Sequence, residues 1–108
     1  MEVWLDCFDA ISPWTIGRYT NIVQADRFAE EKITGDMKLI GERNKMTRSG
    51  RKLDYIPVVF PGGSGYNLTD GNWSFNGIPR EGGRFLWRQI YNAKMSGIRT
   101  IYGAMWDE

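Results

Sequence analysis

A chain of 108 residues, 42% hydrophobic and 25% charged, is long enough for one small domain with a real core. Its net charge of +1 gives no electrostatic footprint for nucleic acid or an anionic membrane, and no apolar run reaches membrane-spanning length. There is no histidine and a single cysteine, which excludes within this chain a Ser-His-Asp triad, a histidine zinc site and a disulfide framework, leaving catalysis to carboxylates.

Val3 to Ile11 is the first predicted strand, largely apolar as a strand covered on both faces should be. Cys7 in this run predicts a small buried hydrophobe. Asp6 and Asp9 interrupt the run, Asp9 near its carboxyl end. Pro13 ends it, because proline has no N–H for a ladder. Trp14 then falls on the loop at the carboxyl end of the sheet. A connecting loop leads to a helix expected to open near Asp26, with Glu30 and Glu31 where the helix dipole favours acids. Phe28, Ile33, Met37 and Ile40 form an approximate helical stripe. Gly35 weakens that interior by about 1 kcal/mol relative to alanine. Arg43, Lys45, Arg48, Arg51 and Lys52 read as a solvated helix end and loop.

Leu53 to Phe60 is the second predicted strand, with Pro57 an awkward residue that suggests a bulge. Pro61 to Arg80 is a long loop rich in Gly, Asn and Ser, leaving the same end of the sheet as Trp14. Loops of this length are usually functional or disordered. Its opening glycines raise a phosphate cradle, but the Gly-x-x-x-x-Gly-Lys-Ser/Thr pattern is absent and no dinucleotide fingerprint follows. Asn67 and Asn72 open short sequons of the Asn-x-Ser/Thr type.

Gly83 to Ser96 is the second predicted helix. Leu86, Ile90 and Ala93 form one stripe and Trp87, Tyr91 and Met95 the next, a broad apolar face that predicts a well-buried helix. Gly97 supplies the stop and Ile98 the apolar residue after it. Thr100 to Glu108 is the third predicted strand, closing on Asp107 and Glu108.

The order β-α-β-α-β, with strand ends recurring about every 48 residues, is that of βα units with enlarged loops. The fold class is α/β, with three parallel strands and right-handed crossovers. Three parallel strands leave both edges open and need cover on both faces. A segment of a (β/α)8 TIM barrel explains this better than a complete small fold, so residues 1–108 are expected to form a single incomplete barrel domain.

In such sheets the ligand binds beyond the carboxyl ends of the strands. The residues predicted to collect there are Asp9, Trp14, Tyr66, Asn67, Asp107 and Glu108. Carboxylates among aromatics and amides, with no metal-type cluster and no cofactor motif, fit carbohydrate binding and glycosidic cleavage. Asp107 and Glu108 would point to opposite faces of a strand, so they are not the catalytic pair. Asp9 and Asp107 also read as structural carboxylates, through a cap, an ion pair or a satisfied buried position. The abundance of aromatics, five of them Trp, fits either a bulky core or stacking on sugar faces.

Four blocks carry a family resemblance: Ser12-Pro-Trp-Thr-Ile-Gly-Arg-Tyr19, Asp54 to Gly62, Ile78 to Ala93, and Ala104-Met-Trp-Asp-Glu108. Together they resemble the bacterial proteins grouped with glycoside hydrolase families 71 and 99, (β/α)8 barrels related to endo-α-mannosidases and α-1,3-glucanases. The resemblance covers most of the chain, in order. It implies a metal-free hydrolase acting on an oligo- or polysaccharide, secreted or periplasmic. Glu108 looks like the first carboxylate of a Glu-x-x-Glu motif whose second member would lie beyond residue 108. On that reading the longer protein is the hydrolase and the 108-residue chain alone is inactive. This chain departs from the family where Gly63 and Gly65 stand in place of the aromatics common there. Two other readings compete: a non-catalytic carbohydrate-binding relative, and a small doubly wound domain taking a phosphorylated ligand at Pro61 to Gly65.

Overall fold

The computed structural model describes residues 6–47 and 50–106. The predicted strand residues Val3 to Leu5, and the site residues Asp107 and Glu108, lie outside the described residues.

The fold is organised on one extended segment, residues 53–60. Its first half, β2 (Asp54–Tyr55), pairs in parallel with β1 (Ala10–Ile11), matching Ala10 to Asp54 and Ile11 to Tyr55. Its second half, β3 (Val58–Val59), pairs in parallel with β4 (Tyr102–Gly103), matching Val58 to Tyr102 and Val59 to Gly103. The result is two two-stranded parallel sheets that share this segment. Backbone alternation explains the division. Asp54 and Ile56 donate to the carbonyls of Asp9 and Ile11, while Pro57 and Val59 accept from the amides of Tyr102 and Ala104. Even residues therefore face β1 and odd residues face β4. The N–H that Pro57 lacks would point toward β4, whose pairing begins only at the Pro57 carbonyl, so proline is tolerated without a broken ladder.

Both ends of the segment are closed by side-chain amides. Asn44 accepts from the Leu53 amide at 2.8 Å and donates to the Leu53 carbonyl at 3.0 Å. Gln89 accepts from the Phe60 amide at 3.1 Å and donates to the Phe60 carbonyl at 2.8 Å. Each amide stands in for a neighbouring strand where that strand has not begun or has already left. On the even side, the next ladder bond from β1 would need the N–H of Pro13, which does not exist. Two residues farther along, the buried Thr15 hydroxyl donates to the Val58 carbonyl at 2.6 Å.

The helices supply the cover. A continuous helical run comprises α1 (Ile22–Phe28), a π-helical stretch (Ala29–Ile33) and α2 (Thr34–Met46). It begins four residues before Asp26, because Asn21 caps it: the side-chain oxygen of Asn21 accepts from the Gln24 amide at 2.9 Å, and the Gln24 side chain reaches back to the Thr20 amide. The helix α3 (Arg84–Met95) packs on α1 and on β3. Gly97, at φ 83°, turns the chain out of α3, and the Ile98 amide donates to the Ala93 carbonyl.

Two apolar clusters result. One joins Ala29, Ile33, Ile40, Leu53, Tyr55, Ala93 and Ile98. The other is aromatic: Tyr19, Phe60 and Phe85 with Ala25, their rings 5.3–6.1 Å apart between centroids. Phe28 packs against both.

Five features differ from the sequence expectations. The first strand pairs only at Ala10–Ile11, with Asp6 and Cys7 in a 3-10 turn before it. Cys7 is exposed, not buried. The third strand pairs only at Tyr102–Gly103; Met105, at φ 55°, turns the chain where the central segment has run out. The stripe Trp87, Tyr91 and Met95 is exposed, because α3 buries only Phe85, Gln89 and Ala93 and nothing covers its outer side among the described residues. Asp26 lies within α1, where the Arg88 guanidinium grips its carboxylate at 2.8 and 3.0 Å and Asn92 adds a third bond. Those bonds from Arg88 hold its carboxyl below the usual carboxylate range. The radius of gyration, 15.7 Å, exceeds the roughly 13 Å of a compact chain this long, as open edges and uncovered faces require.

Candidate functional site

The carboxyl ends of the parallel strands carry three loops. The first is Ser12 to Thr15, fixed by the Thr15 hydroxyl on Val58. It leaves Trp14 projecting, 59% exposed. The third follows β4 and carries Trp106, also exposed. The second, residues 61–80, is the largest and is tied to the third, since the Arg80 guanidinium donates to the Trp106 carbonyl at 3.0 Å.

The 61–80 loop is held by its own bonds. Gly63 and Ile78 exchange two backbone hydrogen bonds, 2.9 and 3.0 Å, which close its neck. At Gly62 a Cβ would meet the Ile78 carbonyl at 2.6 Å, so only glycine lets the returning chain approach this closely. Thr69 is the internal hub: its amide and hydroxyl both donate to the Gly65 carbonyl, and its hydroxyl accepts from the Trp73 amide at 2.9 Å. The Gly71 amide donates to the Tyr66 carbonyl and the Asn76 amide to the Ser64 hydroxyl. Tyr66 and Phe75 meet edge to face, their centroids 6.2 Å apart. Tyr66, Trp73 and Phe75 nevertheless stay exposed, as does Leu68. The loop is thus ordered while burying little, the reverse of an aromatic cluster built for stability.

The predicted site residues have separate fates. Trp14, Tyr66 and Asn67 lie on the loops leaving the carboxyl ends of the strands, all exposed. Asp9 does not. The register sets it level with Leu53, seven residues, or about 23 Å at the usual strand rise, before Phe60. There its carboxylate pairs with the Arg51 guanidinium at the amino end of the sheet. Asp9 thus stands in an exposed ion pair, away from the loops at the carboxyl ends of the strands. The phosphate cradle also loses a donor, since the Gly63 amide is already engaged by Ile78. Among the described residues no cluster of His, Cys, Asp or Glu could hold a metal ion, and no helix is long and apolar enough to cross a membrane.

Residues not singled out from the sequence complete the site: Trp73, Phe75, Arg80 and, beneath them, Gln89. Gln89 is 4% exposed and uses its whole amide: besides both backbone groups of Phe60, it accepts from the Tyr19 hydroxyl at 3.1 Å and donates to the Phe85 carbonyl at 3.1 Å. It fixes the point at which the strand becomes the loop. Comparison with protein-family models, curated proteins and solved structures gives no match for this chain.

Proposed function

We propose that this chain is part of a carbohydrate-active hydrolase, a segment of a (β/α)8 barrel whose longer protein cleaves α-mannoside or α-glucan bonds by carboxylate acid/base chemistry. Glu108 is the proposed catalytic carboxylate, with Trp14, Tyr66, Asn67 and Asp107 as substrate contacts. One observation carries the reading: the self-bonded 61–80 loop presents uncovered aromatic rings among amides and hydroxyls at the carboxyl ends of parallel strands, beside the segment leading to Glu108. Aromatic faces take the apolar faces of pyranoses, amides take their hydroxyls, and glycosidic cleavage then needs an acid and a second carboxylate. The parallel pairing through helical crossovers, with Ile101 and Tyr102 exposed along β4, supports the barrel part of the proposal.

The test is hydrolysis of α-linked manno- and gluco-oligosaccharides by the longer protein and its Glu108→Gln variant. The proposal expects a loss of at least about a thousandfold in kcat with folding unchanged, the scale set by removal of a group that acts in the transition state. Equal rates in both proteins would remove Glu108 from the chemistry.

A further inference from the structure

The Trp73 ring is placed in a way the fold does not need. Its six-membered ring sits directly on the backbone of Gly65: a Cβ there would stand 3.0 Å from Cζ3 and nearer still to Cε3. Gly65 is not in the left-handed region, so its missing side chain serves the ring above it rather than the backbone angle. The indole is held from below by bare backbone, and its own amide is fixed by the Thr69 hydroxyl. Its residue remains 64% exposed, and it belongs to neither apolar cluster. Between Pro61 and Pro79 the only charged residue is Asp70; the rest is aromatic, amide, hydroxyl, glycine or aliphatic.

We propose that Trp73, seated on Gly65, is the stacking platform of a subsite for a neutral pyranose unit and sets the preference for uncharged over acidic sugars. This rests on the carbohydrate reading above and adds the specificity-determining residue. An aromatic face binds the C–H face of a pyranose without regard to charge. The one cation of the loop, Arg80, is engaged on the Trp106 carbonyl, and Asp70 repels a sugar carboxylate, which disfavours acidic sugars. Removing the ring removes the platform; adding a methyl group at Gly65 keeps the indole but drives it off its seat.

The experiment is a titration of the chain with α-linked mannotriose, maltotriose and trigalacturonate, followed by NMR of the backbone and indole N–H signals. Wild type, Trp73→Ala, Gly65→Ala and, as a control on α3, Trp87→Ala are compared. The expected result is binding of at least one neutral trisaccharide and not of trigalacturonate. Trp73→Ala and Gly65→Ala should each weaken that binding roughly threefold to tenfold, the worth of one aromatic stack, with Trp87→Ala unchanged. Wild-type affinity in both variants would overturn the proposal and leave the carbohydrate reading standing. Equal binding of trigalacturonate would overturn the charge selection. Wild-type chain that binds none of the three would overturn both this proposal and the carbohydrate reading of the loop.

Discussion

Residues 53–60 and residues 61–80 are consecutive in the chain and opposite in construction. In the first, every identified backbone bond serves the fold: β1 on one side, β4 on the other, and a side-chain amide at each end. Its aromatic Phe60 is wholly buried among Tyr19 and Phe85. In the second, apart from the Arg80 tie to Trp106, the hydrogen bonds run within the loop, and the aromatics Tyr66, Trp73 and Phe75 are exposed. The same residue type is spent on stability in one place and held ready at a surface in the other. Burial, and not aromatic content, separates the two sets of rings.

The sharpest way to break the contrast is to cut into the buried side. Phe85→Ala removes a ring with 0% exposure from the aromatic cluster and should cost about 3–5 kcal/mol, visible as a large drop in the denaturant midpoint. Gln89→Leu keeps the volume but leaves the Phe60 amide and carbonyl and the Tyr19 hydroxyl without their partner. The expected loss is roughly 2–4 kcal/mol, from stranded buried polar groups. Increased hydrogen exchange at the Phe60 amide would localise the damage.

Alkaline pH probes the same interior more gently. Burial pushes the hydroxyls of Tyr19 and Tyr55 above the ordinary tyrosine value of 10.0, and Asp36 beside Tyr55 adds to its shift. A raised pKa contributes stability that is whole below 10.0 and is lost as pH rises through the folded-state value. Unfolding titrations should therefore show stability falling above pH 10.0, with Tyr55→Phe flattening that fall. Asp26 has the opposite sign. Its lowered pKa contributes above the ordinary aspartate value of 3.8 and is lost as pH falls through the folded value, so Asp26→Asn should lower stability slightly at neutral pH and leave it unchanged in strong acid. On the loop side, Trp73→Ala should move stability by no more than about 0.5 kcal/mol, since the ring lies outside both clusters.

The division between these regions was partly legible in the sequence. The apolar runs around Ile11, Val58 and Ile101, and the glycine-rich loop after Phe60, stand out by composition. The Asn21-x-x-Gln24 cap was also present, but the acids that follow drew the predicted helix start to Asp26. What could not be read is pairing. The register that carries Asp9 to the amino end, beside Arg51, depends on which residue lies opposite Leu53, and no local pattern specifies that. The amides Asn44 and Gln89 look like ordinary polar helix residues until the strand they close is in place. Trp73 needed the path of the loop, because its seat, Gly65, is eight residues away in the sequence.

The most direct test is thermal unfolding of wild type and Trp73→Ala, each with and without a neutral trisaccharide in large excess. If the loop aromatics serve binding and not folding, the two proteins melt together without sugar, and only wild type is raised by it, as selective binding to the native state requires. A melting point several degrees lower in Trp73→Ala without sugar, or an equal rise in both proteins, would contradict the account.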